Sequence, residues 1–433
     1  MKTWSMTHVL VTACLLLVPF LTISFGQDLA AERQLHKQIL KNLRNDLREY
    51  YYDSKLKGID LDASLKKADE FIEGAKSVEE MTDIVARVLY PFEDSHLAFL
   101  PPPRTISVDY GWTLGPIGQN VYITSLDESS DAWKKGLRPG DRVHMLDGFI
   151  ASREHFNLLI YHYEVLAPRF KLPLIIEKPN GNRYKVEIEA KLEKESVFRP
   201  SRRDLGLQVE REFRKRTRQG FAEVAPGLVV WKIPSFEFSE IKVGKMIGKI
   251  EKGQSLILDL RGNSGGLIFS LEELIRVFFE KDIVVGKTIG RKSTDEIKIK
   301  GAGRNAFTGK MVVLVDGESA SAAELFARVV QLEGRAVVAG DRSSGQVMFS
   351  IVTTHLHGLD NLIPYGFNVT IADVIMRDGN RLEKVGVVPD ELVLPTPDDL
   401  LKKRDPGISR AAKLLGFNVT PEDAGLIFNK KGH

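Results

Sequence analysis

Beyond residue 220 the chain alternates short, continuously apolar runs with amphipathic stretches. The runs are "GLVVWKI", "SLILDLR", "MVVLVD" and "AVVAG"; between them lie "SEIKVGKMIGKI", "SLEELIRVFF" and "SAAELFARVVQL". A strand that is apolar at every position must be covered on both faces, and helices between successive strands supply that cover. The pattern predicts an α/β layer around a largely parallel sheet. Parallel strands place their carboxyl ends along one edge, so the loops that follow them gather there.

The rest of the 433 residues is organised differently. Lys2 precedes an apolar stretch from His8 to Phe25, and Ser24 and Gly26 occupy the −3 and −1 positions of a cut after Gly26. This resembles a secretory signal peptide over 1–26 and implies an exported protein, periplasmic or extracellular in a bacterial envelope. A retained anchor, or a lipobox at Cys14, are the alternatives, and either leader is the only expected tie to a membrane. Cys14 is the only cysteine, so a mature chain lacks disulfides, thiol chemistry and Cys-ligated zinc. Residues 27–104 read as a helical module: Leu35, Ile39, Leu43 and Leu47 recur every four positions, and Ser77 to Glu80 form a capping-box pattern. "LPPPR" (100–104) closes it. Lys plus Arg total 61 against 58 Asp plus Glu, and basic runs such as "REFRKRTR" (211–218) are short; nothing asks for nucleic acid.

From about 106 the period changes to two, and "DAWKKGLRPGDRVHMLDG" (131–148) adds a short helix, tight turns and a hairpin. Its part "GLRPGDRVHMLDG" resembles a PDZ domain, with 105–195 as its extent. That resemblance implies a module that takes extended C-terminal peptides as an edge strand; a small β-barrel spacer is the alternative.

Two loops of the α/β layer carry chemistry. In "VDGESASAAELFARVV" (315–330) a buried strand breaks into small residues around Ser319 and Ser321, and a helix starts at once. Free N–H groups at a helix start stabilise negative charge, which suits a nucleophilic Ser321. A serine that merely caps the helix fits the same residues. In "LILDLRGNSGG" (256–266) a strand ends in a glycine-rich turn. The N–H groups of Gly265 or Gly266, with that of Ala322, can form an oxyanion hole if the two loops face one another. A phosphate loop is the weaker reading, because GxxxxGK[ST] is absent.

The pair "LDLRGNSGG" and "GESASAAELFA", about 55 residues apart beside a PDZ-like stretch, resembles the C-terminal processing peptidases and the tricorn-core peptidases. The resemblance covers roughly 90–395. It implies an α/β multidomain serine peptidase: helical module, PDZ domain, then an α/β catalytic layer over 196–405 and a helix and tail over 406–433. The C-terminal processing branch uses a lysine 25 positions after its serine; that position holds Gln346, and an amide accepts no proton at neutral pH. The tricorn branch uses a Ser–His pair ahead of the PDZ domain and a glutamate after the nucleophile. "FEDSHLAF" (92–99) supplies Ser95 and His96, and "LEKVGVVPDE" (382–391) supplies Glu383. The resemblance therefore implies Ser321 as nucleophile, His96 as base, and Ser95 with Glu383 as the orienting relay. It implies no cofactor and no metal; His355 and His357 in "TTHLHG" share a strand face, but no third ligand has suitable spacing.

The expected function is an exported serine endopeptidase acting on unfolded or C-terminally exposed polypeptides. The missing lysine motivates a rival, an inert peptidase-like scaffold that binds C-terminal peptides.

Overall fold

The computed structural model describes residues 29–104, 106–194, 219–238, 240–250, 254–358 and 362–428. The leader read at 1–26 and the basic run at 211–218 lie outside them. The parallel layer is present. Leu228–Lys232, Ser255–Asp259, Met311–Val315, Val337–Gly340 and Glu391–Leu392 pair in parallel in that order, and Gly220–Ala225 adds an antiparallel edge.

Alternating side chains send this sheet's apolar groups two ways. Val229, Trp231, Leu256, Leu258, Met311 and Val313 join one core with the helices Ile268–Phe278 and Ala322–Leu332. Leu228, Val230, Ile257, Val312 and Leu314 form another with Ile408, Ala411 and Ala412. The C-terminal helix Pro406–Leu414 is thus the second cover of the sheet. Each such fully buried aliphatic side chain contributes roughly 1.5–3 kcal/mol relative to exposure.

A second, antiparallel sheet has no counterpart in the sequence reading. Its strands are Ala98–Leu100, Ile283–Gly290, Thr294–Ile299, Met348–His357 and Ile363–Met376. The helices Leu29–Tyr50, Leu61–Gly74 and Val78–Arg87 close over it, with Ile39, Leu43, Leu47 and Val85 packed against Phe99, Tyr365 and Phe367. Ser77 caps the third helix as its pattern predicts, accepting from the Glu80 N–H at 3.2 Å.

Residues 112–189 build a six-stranded antiparallel sheet with its own core around Val121, Ile123, Ala132, Val143 and Ile176. It is docked on the parallel layer through Arg153, which donates to Asp341 and to the carbonyls of Gly118 and Arg342, while the Gly118 N–H donates to Asp341 Oδ2 at 2.9 Å.

Candidate active site

Strand Met311–Val315 is buried at every position and ends at the serine turn. Ser319 is fully buried, and its hydroxyl accepts from the Asp316 N–H and lies 2.9 Å from the Leu260 carbonyl. It is a structural pin, which leaves Ser321 as the reactive candidate. Ser321 sits at φ 55 and ψ −117, a conformation that a side chain rarely adopts and that costs of order 1–3 kcal/mol. Such strain persists only where neighbours hold it. The Ser321 N–H points at the Gln346 carbonyl (2.9 Å) and at Glu324 Oε2 (3.0 Å), and the Ala320 N–H donates to the Asn263 carbonyl (2.8 Å).

The two loops do face one another. A Cβ built on Gly265 would lie 2.6 Å from Ser321 Cβ, and Gly265 has φ +93, so glycine is required on both counts. The Gly265 N–H is already donated to Asn263 Oδ1 at 2.8 Å. Among the described residues no acceptor takes the N–H of Gly266 or of Ala322, the first residue of the helix Ala322–Leu332. Of the three expected oxyanion donors, the structure leaves Gly266 and Ala322 free and makes Gly265 the residue that lets the loops touch.

Ser95 and His96 lie between the last helix of the helical module and the strand Ala98–Leu100. Asp94 fixes this corner: it accepts from the His96 N–H (3.0 Å), Thr370 Oγ1 (2.7 Å) and the Tyr51 hydroxyl (3.0 Å). Glu383 then joins the two halves. Its Oε1 accepts from the Ser95 N–H (3.1 Å); its Oε2 accepts from the Ser95 hydroxyl (2.8 Å) and from the Val347 N–H (2.9 Å). Ser95 Oγ lies 2.9 Å from His96 Nδ1. Because the single Ser95 proton goes to the carboxylate, the oxygen must accept from Nδ1–H. That tautomer leaves the lone pair of a neutral imidazole on Nε2. Burial lowers the His96 pKa from its ordinary value, with Asp94 acting in the opposite direction, and burial raises that of Glu383.

A continuous chain of bonds therefore runs from His96 through Ser95, Glu383 and Val347 to Gln346 and Ser321. Gln346, at the position expected to carry lysine in the C-terminal processing branch, contributes its backbone.

Sequence reasoning missed two members of the site. Glu324 is wholly buried and accepts from Ser343 Oγ (2.6 Å) and the N–H groups of Gly345 (2.8 Å), Gln346 (2.9 Å) and Ser321 (3.0 Å). Burial pushes its carboxyl up to about 7 against those donors. The signal was available, since Ser321 and Glu324 have capping-box spacing. Asn263, also wholly buried, donates to the Ile233 carbonyl at 2.8 Å and orders the glycine loop. His355 Nε2 donates to Asp46 Oδ2 at 2.8 Å, and among the described residues no group of three or more His, Cys, Asp or Glu could hold a metal.

Peptidase family S41 matches residues 228–393, a span that contains Ser321 and Glu383 but not Ser95 or His96. The carboxyl-terminal-processing protease of Synechocystis sp. is 31% identical over 73% of this chain and 70% of its own. The chain belongs to peptidase family S41. Another relative, the probable CtpA-like serine protease of Staphylococcus haemolyticus, is 25% identical over 83% of this chain and 65% of its own length. A carboxyl-terminal-processing protease of Picosynechococcus sp. is 27% identical over 37% of each chain. The matched part thus ranges from about a third to just over two thirds of these relatives' lengths. Among solved structures, mature CPAF complexed with lactacystin matches at TM-score 0.65 with 14% identity, covering 93% of this chain and 100% of that one. That likeness shows a shared fold for this S41 chain.

Proposed function

We propose that the chain is an exported serine endopeptidase of the tricorn-like branch, acting through an acyl-enzyme at Ser321. The bonded chain from His96 Nδ1 through Ser95 to Glu383, and from Glu383 to the loop that holds Ser321, carries this reading. His96 Nε2 takes the Ser321 proton as Oγ attacks the scissile carbonyl carbon. The oxygen that becomes negative accepts from the N–H groups of Gly266 and Ala322. The C–N bond breaks as His96 returns the proton to the departing amine. Water then attacks the ester, loses its proton to His96, and releases the acid while Ser321 regains its hydrogen. Ser95 and Glu383 are positioning residues that hold the tautomer.

We further read the 112–189 sheet as a PDZ-type module that engages C-terminal or unfolded segments, and residues 1–26 as the export leader. Among the described residues no helix is long and apolar enough to cross a membrane. The glutamine at 346 favours the rival scaffold reading. Cleavage of denatured casein by the wild type, Ser321→Ala and His96→Ala separates the two. The peptidase reading expects activity in the wild type alone; an inert wild type supports the scaffold.

A further inference from the structure

The strand Met348–His357 has a neighbour on one side only. It pairs with Ile363–Met376 from Met348↔Asp373 to His357↔Ile363, and the other side of that neighbour is taken by Ala98–Leu100 and Ile283–Gly290. Among the described residues its outer edge is unpaired along 10 residues. Edges of that length are usually blunted by lysine, proline or short extent. The sequence "MFSIVTTHLH" has no lysine, no proline and no carboxylate, and its one irregularity, at Phe349/Ser350, leaves the remainder regular.

The two faces of this strand differ. Thr353 and His355 turn to the first helix, where Asp46 Oδ2 lies 2.5 Å from Thr353 Oγ1 and 2.8 Å from His355 Nε2. Val352 and Leu356 alternate with them and so point to the opposite face; they are 61% and 55% exposed. Leu100 shares that face, because Phe99 beside it enters the helical core. The edge also begins at the reaction centre: Gln346 holds Ser321, Val347 holds Glu383, and Met348 follows.

We propose that the substrate polypeptide binds by adding a strand to the outer edge of Met348–His357, and that the enzyme thereby selects extended segments apolar at alternate positions. The proposal rests on the peptidase reading and names its substrate class. Backbone groups of the strand satisfy those of the added chain, and every second side chain lies over Val352 and Leu356. No lysine, arginine or carboxylate on the strand recognises it, so an apolar, unfolded segment fits and a charged or folded loop does not. Continuity with Gln346 and Val347 selects substrate over a second copy of the chain: a polypeptide seated here leads directly to Ser321.

The test uses the full chain carrying Ser321→Ala and a fluorescein-labelled, C-terminally amidated peptide of roughly ten residues with valine at alternate positions. Amidation removes the carboxylate that a PDZ-type module would read. Adding Val352→Asp and Leu356→Asp, both at exposed positions, is expected to raise Kd about tenfold or more, and N-methylation of alternate peptide amides to do the same. An unchanged Kd overturns the proposal, as does a mutant whose only change is a lower mass by light scattering, which would make the edge an interface between copies. Fluorophosphonate labelling of the wild-type Ser321 reads the peptidase function separately, so normal labelling with an unchanged Kd removes the edge proposal alone.

Discussion

Replacing Gly265 by alanine adds one methyl group where the two loops meet. The new Cβ would lie 2.6 Å from Ser321 Cβ, 3.0 Å from the Ala320 carbonyl oxygen and 3.1 Å from the Ala322 nitrogen. Carbon atoms pack at about 3.5–4.0 Å, so the serine turn must retreat by about 1 Å. A displacement of that size at a reacting group costs on the order of 10²-fold in rate, or about 2.7 kcal/mol on the barrier. The left-handed φ adds a stability cost of about 1–2 kcal/mol. Gly262 separates the two effects: its φ is +70, and a Cβ there meets nothing within 4 Å. Gly262→Ala is therefore expected to lose similar backbone stability while keeping kcat/KM on denatured casein within about twofold. Urea midpoints measure the first quantity and initial rates the second. Equal activity losses in the two variants would refute the claim that Gly265 is a spacer for the catalytic serine.

Other outcomes follow from the same geometry. Ser321→Gly relieves the φ of 55 and is expected to stabilise the fold by about 1 kcal/mol in urea unfolding, while abolishing cleavage. Burial disfavours the His96 cation, so the base stays neutral to lower pH; the acid limb of kcat/KM is expected below the ordinary 6.5, and a midpoint above it contradicts the assignment. Ser95→Ala and Glu383→Gln leave the nucleophile and base in place but free the imidazole tautomer; both are expected to lower kcat more than they raise KM. The Glu324 carboxyl rises from 4.5 to about 7 in the fold, so the folded state binds more protons between those values. Its stabilising contribution is complete below 4.5 and lost as pH rises through about 7, and Glu324→Gln is expected to flatten that part of the urea-midpoint profile.

The parallel layer was legible because apolar runs such as "VVLV" admit only strands covered on both sides. Its two reactive loops followed from the rule that strand ends gather on one edge. The antiparallel sheet was not legible. Thr294–Ile299 is half charged, and Ile363–Met376 mixes polar and apolar residues because its neighbours differ along its length. Its partner Ala98–Leu100, where Ala98 pairs with Asn368 and Leu100 with Gly366, comes from the far end of the chain, a pairing no local pattern encodes. Ser95, His96 and Glu383 came from family resemblance, since no spacing in the sequence connects them. The structure supplied the use of the Gly265 N–H by Asn263, which depends on a loop conformation. It also supplied Glu324, whose four donors come from the Ser321 turn and from the loop that holds Ser343, Gly345 and Gln346.

The proposed mechanism requires that His96 activate Ser321. The rate at which a fluorophosphonate labels Ser321, compared between the wild type and His96→Ala in the native full chain at neutral pH, tests it most directly. Removing the imidazole is expected to slow labelling by about 10²–10⁴-fold, with urea stability little changed. Labelling of His96→Ala at the wild-type rate would contradict it.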